Sequence, residues 1–256
     1  MTKHEIKVDT SQCVGCGMCV KDCPTHRIKL EQSLAVIQEE DCVLCGHCEA
    51  ICPRGAIIIY GFDETSIPNP NITLHPDEVL NVIRFRRSIR QFQDKEIPKE
   101  IIEQILEAGR LTHTAKNMQD VSFYVLDREL QELEQTAVSL LRKVKPIVNV
   151  VQPMARKHEI HDHFFFFDAP KVIVIAAKSE INGALAAQNM EFVAEANGLG
   201  VLFSGYFTMA ANISHKIKKI LGIPKGKKAI TTLVLGYPKV HYRRSAPHKS
   251  LDVKYL

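Results

Sequence analysis

No stretch of these 256 residues approaches the roughly 18 apolar side chains that a spanning helix requires, so no membrane segment is expected. The start, Met1 to Lys7, is polar and has no apolar stretch of the kind an export signal carries; the expectation is a cytoplasmic protein. Charge is close to balanced: 33 basic against 29 acidic residues leave +4, and no run of Lys and Arg forms a basic arm. That excludes the electrostatic footprint of a nucleic-acid binder. Cysteine disappears after Cys52. A disulfide framework would spread through the domain it staples and would accompany export, so this distribution speaks against one. With 45% hydrophobic and 24% charged residues, the chain has the make-up of a globular protein of one large domain or two.

All eight cysteines lie between Cys13 and Cys52, in two copies of one pattern. Cys13, Cys16, Cys19 and Cys23-Pro24 form the first copy; Cys42, Cys45, Cys48 and Cys52-Pro53 form the second, 29 residues on. The likeness runs past the cysteines, with Ile28 and Leu30 matching Ile57 and Ile59. Each copy reads as a short strand, a cysteine loop, one helical turn and a second short strand. Three thiolates at i, i+3 and i+6 can wrap one iron–sulfur cube, with Gly15, Gly17 and Gly46 letting the backbone come close. The cysteine before proline ligates the other cluster in two-cluster bacterial ferredoxins. Cys13, Cys16, Cys19 and Cys52 are therefore assigned to one 4Fe-4S cluster, and Cys42, Cys45, Cys48 and Cys23 to the other. A structural zinc would use paired two-ligand knuckles, needing neither the third cysteine nor the trailing Cys-Pro. Residues 5–60 resemble the two-cluster 4Fe-4S ferredoxins, and the implied role is a relay of single electrons.

Residues 61–76, rich in Pro and Asn without periodicity, read as a connector. The expected division is a ferredoxin-like domain over 1–60, a linker over 61–77 and a second domain over 78–256. In that domain Pro76-Asp77-Glu78 opens a helix, with proline first and acids at the positive end of the dipole. Residues 98–110 form an amphipathic helix, with Ile101, Ile105, Leu106 and Ala108 towards a core. Strands are expected over 121–126, 171–176 and 229–236. Helices are expected over 184–197, stopped by Gly198, and over 209–221, stopped by Gly222. Strands and helices mix without strict alternation, which predicts an α+β fold.

Several clusters carry chemistry. In Arg86-Arg87-Ser88-Ile89-Arg90, guanidinium forks and a hydroxyl suit a phosphate, and an extended chain puts Arg86, Ser88 and Arg90 on one face. Asn117 and Gln119 offer amides suited to the edge of a heterocycle, although Asn also favours plain turns. Gly198, Gly200 and Gly205 allow close backbone approach, and a helix cap accounts for Gly198 equally well. His161-Asp162-His163 could begin a metal site, but no third ligand is evident. The four residues after it, Phe164 to Phe167, read mostly as packing, or as a lid over a pocket.

The order of these pieces is informative: Arg86 to Arg90, the Asn117/Gln119 turn, Asp168-Ala169-Pro170 before a strand, Gln188-Asn189-Met190 on a helix, Gly198-Leu199-Gly200, and Leu235-Gly236-Tyr237-Pro238. Residues 78–256 resemble the FMN-dependent nitroreductase family, and the whole chain resembles ferredoxin–nitroreductase fusions. The resemblance implies a mixed sheet flanked by helices, bound FMN, and a homodimer with the flavin at the subunit interface and the tail, 241–256, packed on the partner. It gives Arg86, Arg87, Ser88 and Arg90 to FMN, with Arg86 and Ser88 at the phosphate and Arg90 at the N1/O2 edge. Asn117, with Gln119, would meet the pyrimidine edge. A backbone N–H of Ser204 or Gly205 would face flavin N5, and Arg243 and Arg244, with Lys249 behind, would reach the phosphate. Two departures bear on substrate choice: Asp120-Val121 stands where proline and an aromatic residue are common, and there is no Trp. The implied activity passes electrons from two clusters through FMN to a small electrophile such as a nitroaromatic or quinone, with no catalytic side chain. The alternatives are an electron carrier or redox sensor without turnover, and reduction of a specialised ring substrate. The donor could be an external ferredoxin, a reductase or NAD(P)H; no Rossmann glycine fingerprint is present.

Overall fold

The structure, a computed structural model, describes residues 4–151 and 159–256, so the first three residues of the polar N-terminus lie outside the described residues. The chain divides into two compact units: Met1–Thr73 with Ala115–Met118, and Leu74–Thr114 with Gln119–Leu256. The division differs from the expected 1–60, 61–77 and 78–256 in two ways. Most of the linker groups with the first unit, and so does a four-residue turn far along the chain.

The first unit has a two-fold plan. Strand β1 (Glu5–Val8) pairs antiparallel with β4 (Ile57–Tyr60), and β2 (Ile28–Glu31) with β3 (Leu34–Ile37). Gln32 and Ser33 join β2 to β3 with both φ positive, the mirror-image turn whose twist suits a two-residue hairpin. Helical turns α1 (Met18–Asp22) and α2 (His47–Ala50) each follow a cysteine loop, as the repeat predicts. The buried set is small: Ile6, Cys19, Ile28, Ala35, Ala56 and Ile57, with most of the other cysteines half-buried around it.

The second unit is an α+β layer. Strands β5 (Ser122–Leu126), β6 (Lys171–Ala177), β7 (Gly200–Phe203) and β8 (Lys228–Gly236) form one sheet in the order β5-β6-β8-β7, with every pairing antiparallel. A single parallel bridge from Ser88 to Val201 extends the sheet at its β7 edge and makes it mixed. β6 lies between two helical layers, and its side chains alternate between them. Ile173 and Ile175 join a core with α4 (Lys99–Arg110) and α6 (Glu180–Ala196). Val172 and Val174 join Leu133, Phe165, Phe166, Phe207 and Ile217, which come from α5 (Leu130–Val151), the aromatic segment, α7 (Gly205–Ile213) and α8 (His215–Leu221). A strand covered on both faces reads as an unbroken apolar run, which is why β6 was visible in the sequence.

Local chemistry sets several boundaries and corrects others. α3 (Pro76–Phe85) begins at its proline, with Asp77 and Glu78 in the first turn. α4 buries Ile102, Ile105 and Gly109, leaving Ile101, Leu106 and Ala108 half-buried. Gly109 is required there, because a Cβ would stand 2.6 Å from the Phe123 ring. α6 starts four residues before the expected 184, since the Ser179 hydroxyl accepts from the Asn182 N–H and caps it. The helix expected over 209–221 is two helices. Ser214 leaves helical geometry (ψ 115°), and its hydroxyl caps α8 by accepting from Ile217 N–H at 3.3 Å. The glycine run after α6 also feeds a strand, β7, where no strand is expected from the sequence. Among the described residues no helix is long and apolar enough to cross a membrane.

Candidate functional site

In the first unit the eight cysteines surround two cavities. Cys13, Cys16, Cys19 and Cys52 line one; Cys23, Cys42, Cys45 and Cys48 line the other. The fold thus brings together the same groups of four that the spacing assigned. Gly15, Gly17 and Gly46 all have positive φ. A Cβ on Gly15 would stand 2.2 Å from the Ser33 carbonyl oxygen. The second loop has Leu44 where the first has Gly15, and it too takes positive φ (52°), a strained conformation for that side chain.

The thiols suit a cationic guest. Burial raises Cys19, and it pushes Cys48 up to about 11 with help from its neighbours Cys42 and Cys45. Cys23 is the opposite case: burial would raise it, but the Arg27 N–H (3.3 Å) and the Thr25 hydroxyl (3.6 Å) pull it down. Backbone N–H groups also donate to Cys52 Sγ from Ala56 (3.3 Å) and to Cys13 Sγ from Ala35 (3.5 Å). Buried thiols that must ionise, already met by N–H donors, fit an iron–sulfur cluster. Among the described residues no three His, Cys, Asp or Glu side chains gather closely enough for one metal ion. Among the described residues His161 and His163 have no third ligand.

In the second unit, Arg86 to Arg90 runs extended along the β7 edge. Ile89 N–H donates to Val201 O (3.0 Å), and Ile89 is buried while Ser88 and Arg90 are exposed. Arg86 turns inward instead. One guanidinium N–H pairs with Glu191, the group stacks on Phe192 at 4.7 Å, and Nε is buried with no hydrogen-bond partner among the described residues. Gln188 Nε2 donates to the same Glu191 oxygen at 2.7 Å. Burial raises the nearby Glu195 carboxyl, Glu191 raises it further, and Arg86 pulls it back. A buried, unpartnered N–H beside exposed arginines fits a phosphate. The tail approaches the same segment: residues 91–93 pair with 237–239, and Tyr242 lies under the Arg87 guanidinium at 5.4 Å. Arg243 and Arg244, the next two residues, are exposed, as is Lys249.

Two expected contacts are corrected. Asn117 Nδ2 donates to Val43 O (3.2 Å) and Leu44 O (2.8 Å), within the first unit. That commits its amide to the Cys42–Cys45 loop, not to a pyrimidine edge. Lys116, Asn117 and Gln119 all have positive φ, the tight turn that makes this possible, while Gln119 itself is exposed in the second unit. The Ser204 N–H is also committed, to Thr232 O (2.8 Å), and its hydroxyl donates to Phe165 O (3.0 Å). Of the two candidates for flavin N5, Gly205 remains, as the first residue of α7, where amides have no partner within the helix.

The aromatic segment is packing. Phe165 and Phe166 are buried, and their N–H groups donate to buried Glu134 Oε1 at 3.1 and 2.7 Å. Burial raises the Glu134 carboxyl against these donors and His163.

Asp120, read as a departure bearing on substrate, is a staple. It is 6% exposed and accepts from Lys178 N–H (2.8 Å), Ser179 N–H (3.0 Å) and Asn182 Nδ2 (2.6 Å), tying the start of β5 to the start of α6. Burial alone would raise its carboxyl, but these donors outweigh it and hold it below the usual range. Asp120→Ala should cost about 3 kcal/mol at pH 7, since it strands these donors. A carboxyl with a lowered folded pKa stabilises above its unfolded value of about 3.9, and that stability is lost as pH falls through the folded one. Denaturant unfolding should therefore show the gap narrowing in acid. Glu191, Phe192 and Tyr242 went unnoticed in the sequence; the one available signal was an acid, Glu191, directly after Gln188-Asn189-Met190.

The sequence matches the nitroreductase family over residues 83–237 and a 4Fe-4S dicluster domain over residues 12–56. A Methanothermobacter thermautotrophicus protein named for NADH dehydrogenase and NAD(P)H nitroreductase activity is 27% identical over 182 residues, 65% of this chain and 84% of its own. An Archaeoglobus fulgidus protein of the same name is 27% identical over 174 residues, 64% and 87% of the two chains. Among solved structures, an FMN-dependent nitroreductase from Clostridium difficile aligns with a TM-score of 0.57 at 17% identity, over 71% of this chain and 100% of its own. A nitroreductase from Bacteroides fragilis, solved with bound FMN, aligns with the same score at 19% identity, over 70% and 99%. At such identities the structural likeness speaks for the fold alone.

Proposed function

Because the chain belongs to the nitroreductase family and carries a 4Fe-4S dicluster domain ahead of it, we propose that it is an FMN-dependent oxidoreductase working in the cytoplasm. Electrons would pass from two 4Fe-4S clusters to FMN and then to a small electrophile such as a nitroaromatic or quinone. The observation that carries this reading is the pair of four-cysteine cavities on the same chain as a nitroreductase fold. Bound FMN takes up electrons singly and gives up two together, which is what a one-electron relay requires at its end.

The side chains have separable tasks. Arg86, with its unpartnered Nε, and Ser88 hold the phosphate, and Glu191 keeps Arg86 in place. Tyr242 under Arg87 brings Arg243 and Arg244 to the same anion, with Lys249 behind. Arg90 would hold the flavin ring, where a cation would offset the negative charge of its reduced form. The Gly205 N–H, at the start of α7, and Gln119 would hold the flavin ring. No side-chain acid is assigned, so the proton comes from water. Exposed apolar residues on α3 (Leu80, Phe85) and the tail (Leu251, Tyr255) support a homodimer that covers them. The names of the archaeal relatives favour NAD(P)H as donor over an external ferredoxin or reductase.

Anaerobic reconstitution followed by iron and flavin analysis, then titration with NAD(P)H and with a nitro compound or quinone, tests the proposal. Protein that takes up no FMN overturns it. Reoxidation without product would favour an electron carrier or sensor. Arg90→Ala should weaken FMN binding about tenfold, the loss of one charge-assisted hydrogen bond. Unchanged affinity and flavin potential would remove Arg90 from the site.

A further inference from the structure

We infer that Arg27 makes the two clusters unequal, holding the shared electron on the one that Cys23, Cys42, Cys45 and Cys48 surround. This rests on the cluster reading above and adds a direction to it.

The internal repeat supplies the comparison. Arg27 and Ala56 occupy the same position in the two copies, 29 residues apart. Both donate a backbone N–H to the cysteine four residues before them, Cys23 and Cys52, at the same 3.3 Å. At these two cysteines the backbone contribution is therefore equal, and the difference there lies in the side chains; the other cavity has one further, longer backbone donor, the Ala35 N–H at 3.5 Å from Cys13 Sγ. Ala56 brings only a methyl group to its cavity. Arg27 lines the other cavity, and its Nε is buried from solvent without a hydrogen-bond partner among the described residues. A guanidinium stays charged at any working pH, and a buried N–H without an acceptor is costly; a sulfide or thiolate of the cluster supplies the acceptor.

The opposing charges are weaker. Asp41 accepts from the far end of Arg27 at 3.2 Å, but its carboxylate is 73% exposed, so water screens it. His47 also lines this cavity and faces Asp22 at 3.6 Å, both partly in solvent. The other cavity has Arg54, but that residue is exposed. Thr25, which replaces it in the copy with Arg27, adds a hydroxyl 3.6 Å from Cys23 Sγ. Reduction adds one negative charge to a cluster, and a cation that lines its cavity with Nε shielded from solvent favours that charge. The step is a one-electron exchange: one cluster goes from 1+ to 2+ as the other goes from 2+ to 1+, with no proton or atom moved. Arg27 biases that exchange towards its own side.

The test is an EPR-monitored redox titration of the full chain, reconstituted anaerobically, with iron counted first. Wild-type protein should show two one-electron waves. Arg27→Gln should lower the upper wave and leave the lower one in place, shifting the exchange equilibrium at least tenfold, about 59 mV for a one-electron couple. Asp41→Asn, which removes the opposing charge, should raise the same wave. Opposite shifts of one wave are not what loosened packing would produce. The inference is overturned if Arg27→Gln leaves both waves unmoved or moves the lower one. If that variant fails to take up both clusters, Asp41→Asn decides, and an unmoved upper wave overturns the inference. Wild-type protein with iron for fewer than two clusters would instead sink the cluster reading.

Discussion

Replacing Cys23 and Cys42 together with serine should remove no more iron than replacing either alone, about four atoms per chain, whereas Cys23 with Cys13 should remove about eight. The reason is the crosswise lining of the cavities: Cys23 shares its cavity with Cys42, Cys45 and Cys48, and Cys13 shares the other with Cys52. Each single loss should also weaken the fold around it. The buried core of the first unit amounts to Ile6, Cys19, Ile28, Ala35, Ala56 and Ile57, too little to hold some sixty residues without help. In such a unit the energy of metal binding is energy of folding. Limited proteolysis should accordingly open residues 4–60 and spare the second unit, with its two large cores on either side of β6. Iron analysis decides the pattern. Additive iron loss in the Cys23 and Cys42 pair would mean that each motif keeps its own four ligands.

Arg86→Ala should destabilise the protein by about 3–5 kcal/mol and abolish FMN retention. Glu191 has a side chain only 11% exposed, and without Arg86 it is a buried charge held, among the described residues, by Gln188. Glu195 responds as well: burial and Glu191 raise its carboxyl, and Arg86 is what pulls it back. A carboxyl with a raised folded pKa has its ionised form penalised, so this penalty is full above the folded value and fades as pH falls towards the unfolded one. The stability deficit of the variant should therefore shrink in mild acid. Arg86→Met with Glu191→Leu separates the two roles. Replacing a buried pair with apolar groups should bring stability back to near wild type, since no charge is left unpaired, but FMN should still be lost. Chemical denaturation with flavin titration checks both, and FMN retained by the double variant would remove Arg86 from the phosphate site.

The parts legible beforehand are those whose cause is local. Pro76 opens α3, Gly222 ends α8, and the apolar run of β6 announces a strand with helices on both faces. Ser214 shows the limit. A serine inside an apolar helical pattern reads as an ordinary helical residue until its hydroxyl is seen capping Ile217, which splits the expected helix in two. Asp120 shows it differently, because its departure from the family pattern had a structural reason that appears only when α6 is beside it.

The grouping of the cysteines was legible in the sequence alone, since three thiols at i, i+3 and i+6 gather around one cavity whatever the rest of the chain does. The 29-residue repeat and the α+β class follow from equally short-range regularities. Only the tertiary structure decided that Arg86 is held by Glu191, 105 residues away. It also decided that Asn117 serves the cysteine loop 73 residues before it, and that Arg27 stands in a cavity wall where its counterpart is Ala56. A hydrogen bond or ion pair between distant residues leaves no period in the sequence. Its partners are chosen by burial, which denies a polar group its water and leaves it whichever acceptor or donor the fold brings within reach.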